Sequence, residues 1–478
     1  MSEGPDLFER FRRDVTGAGT IATLRAGLIG EGMLVPGPLG PNPMIYADYV
    51  ASGRALQQIE AVIAADVLPY YSNAHTEASF CGRHMNRLRA GARRVVANAC
   101  GAGADHAVIF AGAGATAGLS KLVGLLGIDM MLADGRCPLV LIGPYEHHSN
   151  ILPWREAGAE VIEIAEAAHG GPDIDVLAAQ LTRNTGRPII GSFSAASNVT
   201  GIVSDVPAIT RLLKDHGAIS IWDYAGGGPY LPIDMGLGMD AVVLSPHKFI
   251  GGPGASGVLI LRRDAVRRAR PTSPGGGTVR FVSPWGQDYS ADVTAREEAG
   301  TPNVIGDIRA ALCFIVKDAI GDAHMAARLA AYRRRALAAW QGARGLTVLG
   351  NPDAAALPIF SFLIHDDHGE FVHPQLVCRI LSDHFGIQAR GGCACAGPYA
   401  HRLLNIDRAQ SDRLQAEILS GHEIAKPGWT RLAFSVLMDD AKVDHIIDAV
   451  ACIARDPGTF TADYGMDPAT ARFSPNAA

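Results

Sequence analysis

The chain has 478 residues, ample for a large buried core and for two or three domains. Its 42 Lys and Arg against 48 Asp and Glu give a net charge of −6, which lacks the basic excess of a nucleic-acid binder. Hydrophobic residues at 48% and charged residues at 19% exclude bulk disorder.

The start, MSEGPDLFERFRRDV, is polar and charged, so it does not read as a secretory signal. DLFERFRRDV reads as a short amphipathic helix and MLVPGPLGPNP as an extended segment. Residues 1–44 are therefore expected to form a peripheral extension. From residue 45 short apolar runs alternate with helical periods. HAVIF (106–110) reads as a strand and ATAGLSKLVGLL (115–126) as the helix after it. PLVLIG (138–143), PIIGSFS (188–194), AISIWD (218–223), DAVVLS (240–245) and GVLILR (257–262) continue the strand series, with VPAITRLLKDHG (206–217) as a helix between two of them. Such alternation predicts βαβ units and a mainly parallel sheet covered on both faces. The expected large α/β domain spans 45–310. A smaller α+β domain follows at 311–458, with the N-terminal segment expected to pack nearby, and 459–478 is expected to be a loosely held tail.

No stretch reaches the roughly 18 uncharged apolar residues of a membrane span, and no membrane partner is expected. The most apolar run, 122–133, carries Asp129. The eight cysteines lack framework spacing. Reduced thiols and a cytoplasmic location are the expectation.

Six segments carry chemistry. DAVVLSPHKFIGGPGASG brings Ser245, His247 and Lys248 to the carboxyl end of a strand, where ligands of open α/β sheets bind. A single Lys among small residues suits a Schiff-base amine, and an ordinary surface Lys in a Gly-rich loop is the competing reading. Asp223 ends another apolar strand. It reads as the carboxylate that holds a protonated pyridine nitrogen, or as the start of a turn. IFAGAGATAGLSKLVG is strand, Gly-rich turn and helix, an anion site at Gly114, Ala115 and Thr116 or plain helix packing. Neither the dinucleotide nor the Walker spacing is met, so a lone phosphate fits better.

In GPYEHHSN the adjacent His147 and His148 face opposite ways, which argues against a shared metal. One of them could lie flat on an aromatic cofactor. In ARGGCACAGP, Arg390 precedes Cys395 by five residues in a Gly-rich loop, a setting for thiolate character. C-x-C alone does not make a zinc site, and no metal is expected. Arg431 in KPGWTRLAFSVL reads as a bidentate carboxylate clamp or as a salt-bridged structural arginine.

Together and in this order, these segments resemble the class V branch of the fold-type-I pyridoxal 5'-phosphate (PLP) enzymes. Within it they are similar to cysteine desulfurases and to the PLP domain of molybdenum cofactor sulfurases. The resemblance covers about residues 45–455. It implies a seven-stranded, mainly parallel sheet in the large domain and a homodimer with shared active sites. It implies PLP on Lys248, His147 stacked on the ring as an acid or base, and Asn198 beside the 3′-oxygen. Ser245, His247 and, from the neighbouring subunit, Thr278 would contact the phosphate. Arg431, helped by Arg390, would take the substrate carboxylate, and His75 would lie near the substrate. Cys395 would carry a persulfide drawn from L-cysteine, for delivery to an acceptor protein. The alternative within the fold is an aminotransferase, epimerase or C–S lyase for another amino acid. A catalytically silent protein of the same fold, acting as a partner in a sulfur-transfer assembly, is the alternative from a different functional class. Two departures stand out: Gly226 replaces a hydrogen-bonding Gln, and Cys393 is an extra thiol.

Overall fold

The structure, a computed structural model, describes residues 6–38, 40–74 and 76–476. The chain forms two compact units. The first takes the chain up to residue 29, then 52–195 and 204–322; the second takes 30–51, 196–203 and the chain from 323 onward.

The first unit is built on a seven-stranded sheet. Its strands are β1 (His106–Phe110), β2 (Leu139–Ile142), β3 (Glu160–Glu163), β4 (Ile189–Ser194), β5 (Ile219–Asp223), β6 (Ala241–Leu244) and β7 (Val258–Arg262). Their spatial order is β1-β7-β6-β5-β4-β2-β3. All neighbours pair in parallel except β7, which is antiparallel to both β6 and β1. Only the 3₁₀ turn Pro246–Lys248, and no α-helix, lies between β6 and β7, and the chain turns back. The other six strands point the same way and end on one edge.

The sequence pattern explains these strands. Four- to six-residue apolar runs are buried on both faces, as a sheet covered by helices requires. Only β3 escapes that pattern. It is the exposed edge, its sequence EVIE carries charges at both ends, and no apolar run betrays it.

Helices complete the layers: α1 (Leu7–Val15), α2 (Phe80–Ala99), α3 (Gly114–Leu125), α4 (Val206–Asp215) and α5 (Val304–Ile320). On α3, Leu119, Leu122 and Leu125 bury against Ile109, Val140, Ile190, Ile221, Val243 and Leu259, one residue from each of six strands. Each such side chain contributes about 1.5–3 kcal/mol of transfer free energy. The segment Gly114–Ala133 is long and apolar enough to cross a membrane by composition alone. Half of it is buried on this sheet, and Gly127 breaks it at φ 68°. On the opposite face α4 lends Thr210, whose hydroxyl accepts from Trp222 Nε1 at 2.8 Å.

The second unit has an antiparallel sheet of β8 (Leu346–Val348), β9 (Ile359–Ile364), β10 (Arg390–Gly392) and β11 (Trp429–Ala433), in the order β8-β9-β11-β10. Helices α6 (Pro374–Phe385) and α7 (Asp440–Arg455) belong to this unit. Trp340 packs edge-on to Phe360 with ring centroids 5.0 Å apart.

The observed division differs from the expected domain limits in three ways. The first 44 residues are not one extension. Phe8, Phe11 and Val15 lie on one face of α1 at helical spacing and are buried in the first unit, whereas residues 30–44 belong to the second. The helix α5 stays with the first unit, so the division falls at 322 and not at 310. The tail is not loose. Tyr464–Asp467 pairs with Arg472–Pro475 as a hairpin, and Tyr464 donates its hydroxyl to Asp383 at 3.0 Å. His384 packs edge-on to Phe460. A tyrosine and a phenylalanine in polar surroundings anchor what composition alone suggested was free.

One backbone approach in the first unit supports the turn after β6. The Gly53 amide donates to the His247 carbonyl at 2.9 Å, and a Cβ on Gly53 would lie 1.8 Å from the Phe249 carbonyl oxygen. Overpacking of this kind costs about 1–3 kcal/mol. Gly53→Ala is therefore expected to lower the unfolding free energy by that amount, read by denaturant titration. An unfolding free energy equal to wild type would show that the turn tolerates the methyl group.

Candidate active site

The first unit gathers its polar groups at the common carboxyl edge of the sheet. β1 runs into a Gly-rich turn and the amino end of α3. Gly114 adopts φ +65°, and a Cβ there would stand 2.9 Å from Ser245 Oγ and 2.8 Å from His247 Cε1. The Ala115 amide donates to Ser245 Oγ at 2.9 Å. A helix amino terminus beside a serine hydroxyl is a favourable place for an anion. Thr116 Oγ1 lies 2.7 Å from Ser149 Oγ. The Ser149 amide donates to His147 Nδ1 at 3.1 Å, so the neutral His147 ring carries its hydrogen on Nε2. Burial, and then the neighbouring Lys248, hold His247 below the usual imidazole range.

Lys248 ends the short 3₁₀ turn Pro246–Lys248 at the end of β6 and is half-buried. Asp223 ends β5, 4% exposed. Burial pushes its carboxyl up, opposed by the Ala225 amide at 2.7 Å and by Lys248. Beside it lies a second buried acid. Glu146 accepts from Asn150 Nδ2 at 2.6 Å, Ser194 Oγ at 2.7 Å and the Ser194 amide at 2.8 Å. Burial nevertheless pushes its carboxyl up to about 7, with Asp223 adding to the rise. Those hydrogen bonds fix the backbone on which His147 sits.

The second unit holds the other candidates. Arg390 and Arg431 lie directly opposite each other on β10 and β11. Asp48 accepts from Arg390 Nε at 2.8 Å and from Arg431 Nη2 at 3.0 Å. Arg431 is 4% exposed, and its Nη1 donates to the Asn198 carbonyl at 3.1 Å. Cys395 is exposed, on a turn in which the Ala396 amide donates to the Cys393 carbonyl at 3.1 Å. Both central residues of that turn, Ala394 and Cys395, have positive φ (54° and 55°) without being glycine. Such conformers cost about 1–3 kcal/mol each and persist only where neighbours enforce them. Asn198 does so, donating Nδ2 to the Ala394 carbonyl at 2.8 Å.

Of the predicted residues, Gly114, Ala115, Thr116, His147, Asp223, Ser245, His247 and Lys248 gather at one sheet edge in the first unit. Asn198, Arg390, Cys395 and Arg431 form a connected set in the second. Asn198 was expected at the cofactor 3′-oxygen, and its amide is committed to the Cys395 turn. Thr278 is buried and donates its hydroxyl to the Gly275 carbonyl at 2.7 Å. His75 lies outside the described residues. The segment REEAGTPN (296–303) makes contacts within its own unit. Glu298 accepts the Phe110 amide at 2.7 Å and pairs with Arg89 and Arg93, which pins the end of β1. Sequence reasoning missed Glu146, Asp48 and Ser149. Glu146 had a signal, its place directly before His147 in EHHSN; Asp48 had none but an acid after a short apolar pair.

These residues suit PLP. The cradle at Gly114–Thr116 and Ser245 offers donors to a phosphate. Lys248 offers an amine, and Asp223 is a buried acid whose proton affinity burial has raised, suited to a pyridinium. The fold is that of the fold-type-I PLP enzymes. The chain belongs to the class-V aminotransferase family, whose model matches residues 45–445. Among curated proteins it is 30% identical over 368 residues to a probable cysteine desulfurase of Vibrio cholerae, covering 75% of this chain and 85% of that one. It is 28% identical over 365 residues to a probable cysteine desulfurase of Halalkalibacterium halodurans, with 75% and 85% covered. Among solved structures it resembles the apo cysteine desulfurase of Thermococcus onnurineus (TM-score 0.72, 23% identity, 86% of this chain and 95% of that one). It also resembles the cysteine desulfurase CsdA of Escherichia coli (TM-score 0.68, 21% identity, 90% and 97%).

The buried Glu146 makes a pH prediction. The unfolded chain releases this proton near the ordinary value of 4.5, the folded chain only at about 7. Its contribution is fully present below the first value and is lost as pH rises through the second. Glu146→Gln is expected to flatten the stability curve across that window, read as denaturant midpoints at about pH 5 and about pH 8. A variant that kept the wild-type slope would place the titration elsewhere.

Proposed function

We propose that the chain is a PLP-dependent cysteine desulfurase that takes sulfur from L-cysteine, leaves alanine and carries the sulfur as a persulfide on Cys395. One observation carries the reading: an exposed thiol on a strained turn that Asn198 ties to the buried arginine Arg431. Neither a transaminase nor an epimerase needs a thiol held there at a conformational cost.

Gly114, Ala115, Thr116, Ser245 and His247 would hold the phosphate of the cofactor, Lys248 its aldehyde carbon, Asp223 its ring nitrogen and His147 its ring face. Bound PLP supplies an electron sink that weakens bonds at the substrate α-carbon. Arg431 takes the substrate carboxylate and orients the α-carbon. The Lys248 amine moves the α-proton. Cys395, as thiolate, attacks the substrate sulfur. The new S–S bond forms as the Cβ–S bond breaks. The bonding pair stays with Cβ, which takes a proton, and the methyl group of alanine results.

The reading extends to a homodimer, to a protein acceptor for the persulfide and to a cytoplasmic setting with reduced thiols. The hairpin Val279–Ser283 and Gly286–Tyr289 supports the first of these. It presents Phe281, Val282 and a 92% exposed Trp285, an apolar surface suited to a second copy.

The test is spectral and then chemical. With L-cysteine and a reductant, the wild-type holoenzyme is expected to yield sulfide and alanine in equal amounts. Cys395→Ala is expected to keep the visible band of lysine-bound PLP and to lose sulfide production by about a hundredfold or more. Lys248→Ala is expected to lose the band. A Cys395→Ala variant with full sulfide release would overturn the reading.

A further inference from the structure

Two arginines directly opposite each other on antiparallel strands project to the same face, and like charges so placed repel. Arg390 and Arg431 are such a pair, and Arg431 is buried. An unpaired buried cation is costly. Asp48 resolves both problems with one carboxylate, using Oδ2 for Arg390 Nε at 2.8 Å and Oδ1 for Arg431 Nη2 at 3.0 Å. It follows the short strand Ile45–Tyr46, which pairs with Ile387–Gln388 just before Arg390. The Ala433 amide, two residues after Arg431, donates to the Ala47 carbonyl at 2.7 Å. Asp48 is therefore placed by main-chain bonds to the Arg431 strand and to the short strand just before Arg390.

The charge count decides what the site can take. Two guanidiniums and one carboxylate leave one net positive charge. Arg431 also keeps a buried Nε that has no partner among the described residues. A buried donor without an acceptor marks a place for one. A single substrate carboxylate satisfies it and brings the cluster to neutrality. Without Asp48 the two cations would form a clamp for a dianion. With Asp48 in place, a second anionic group finds Arg390 already paired and meets the Asp48 charge.

We infer that Asp48 is a specificity-determining positioning residue, which restricts the arginine pair to amino acids bearing one carboxylate and no anionic side chain. The inference rests on the reading of Arg431 as the substrate-carboxylate residue. It acts by repulsion as much as by attraction, as discrimination between similar ligands often does.

The experiment uses the holoenzyme and titrates L-alanine and L-aspartate into wild type, Asp48→Asn and Asp48→Glu, reading the change in the cofactor's visible band. Wild type is expected to favour L-alanine over L-aspartate by about tenfold or more in affinity. Asp48→Asn is expected to weaken L-alanine and tighten L-aspartate, so that the ratio falls by about tenfold or inverts, and Asp48→Glu to restore part of it. In turnover, the KM for L-cysteine should rise in Asp48→Asn with a smaller change in kcat. Wild type binding L-aspartate as tightly as L-alanine would overturn the inference, even where the Asn variant does not fold. So would a folded Asp48→Asn that keeps the wild-type ratio. Failure of the desulfurase reading looks different: the affinity ratios hold, but L-cysteine gives no sulfide.

Discussion

The first unit depends on a steric constraint at the turn after β6. The backbone of Ser245–Phe249 is approached so closely that side chains do not fit around it. Gly252 has the Pro246 carbonyl 2.1 Å from where a Cβ would be. Gly257 has the backbone of Gly114 at 2.5 Å, and Gly53 meets the Phe249 carbonyl. The Gly257 amide bonds the Gly112 carbonyl at 2.6 Å, which ties the residue before β7 to the Gly-rich turn before α3. Glycine is tolerated where backbone must touch backbone, at the expense of conformational entropy in the unfolded chain. The gain is positional. A lysine on a flexible four-carbon stem is held at its base, so its amine samples a small volume.

Electrostatics in that unit are arranged around two buried acids. Burial lifts the proton affinity of both, and Asp223 adds to the rise at Glu146. Their surroundings separate their roles. Glu146 is wrapped by donors from Asn150 and Ser194, so its oxygens are committed to the scaffold that carries His147. Asp223 has an amide on one oxygen and Lys248 as the nearest cation that lowers it. A carboxyl raised by burial and short of positive charge has a strong affinity for a cation. That is the property a pyridinium partner needs, and it follows from the strand end on which Asp223 sits.

Much of this was legible in the sequence, because the signals were local. Continuous apolar runs such as HAVIF and DAVVLS can only be buried strands, and SPHK at a strand end puts a lysine where ligands bind. Other features were invisible because they join distant segments. Asp48 meets Arg390 across 342 residues, and Asn198 meets Ala394 across 196. Nothing local marks an acid as the counter-ion of two arginines, or an asparagine as the clamp of a strained turn. The tail was misjudged for the same reason, since Tyr464 finds Asp383 81 residues away. Charges at both ends of EVIE hid an edge strand, because an edge needs only one covered flank.

The second unit shows how one carboxylate can serve stability and selectivity together. The cross-strand arginines would repel in its absence, so Asp48 is needed for the sheet edge to form with both in place. Once present, it sets the charge that a ligand sees. The strained turn at Ala394 and Cys395 connects to the same cluster, because Asn198 donates its side chain to that turn while its carbonyl accepts from Arg431. A ligand that draws on Arg431 therefore pulls on the residue that holds the thiol. The buried arginine and the turn that carries the thiol are thus joined through one residue, Asn198, by two hydrogen bonds.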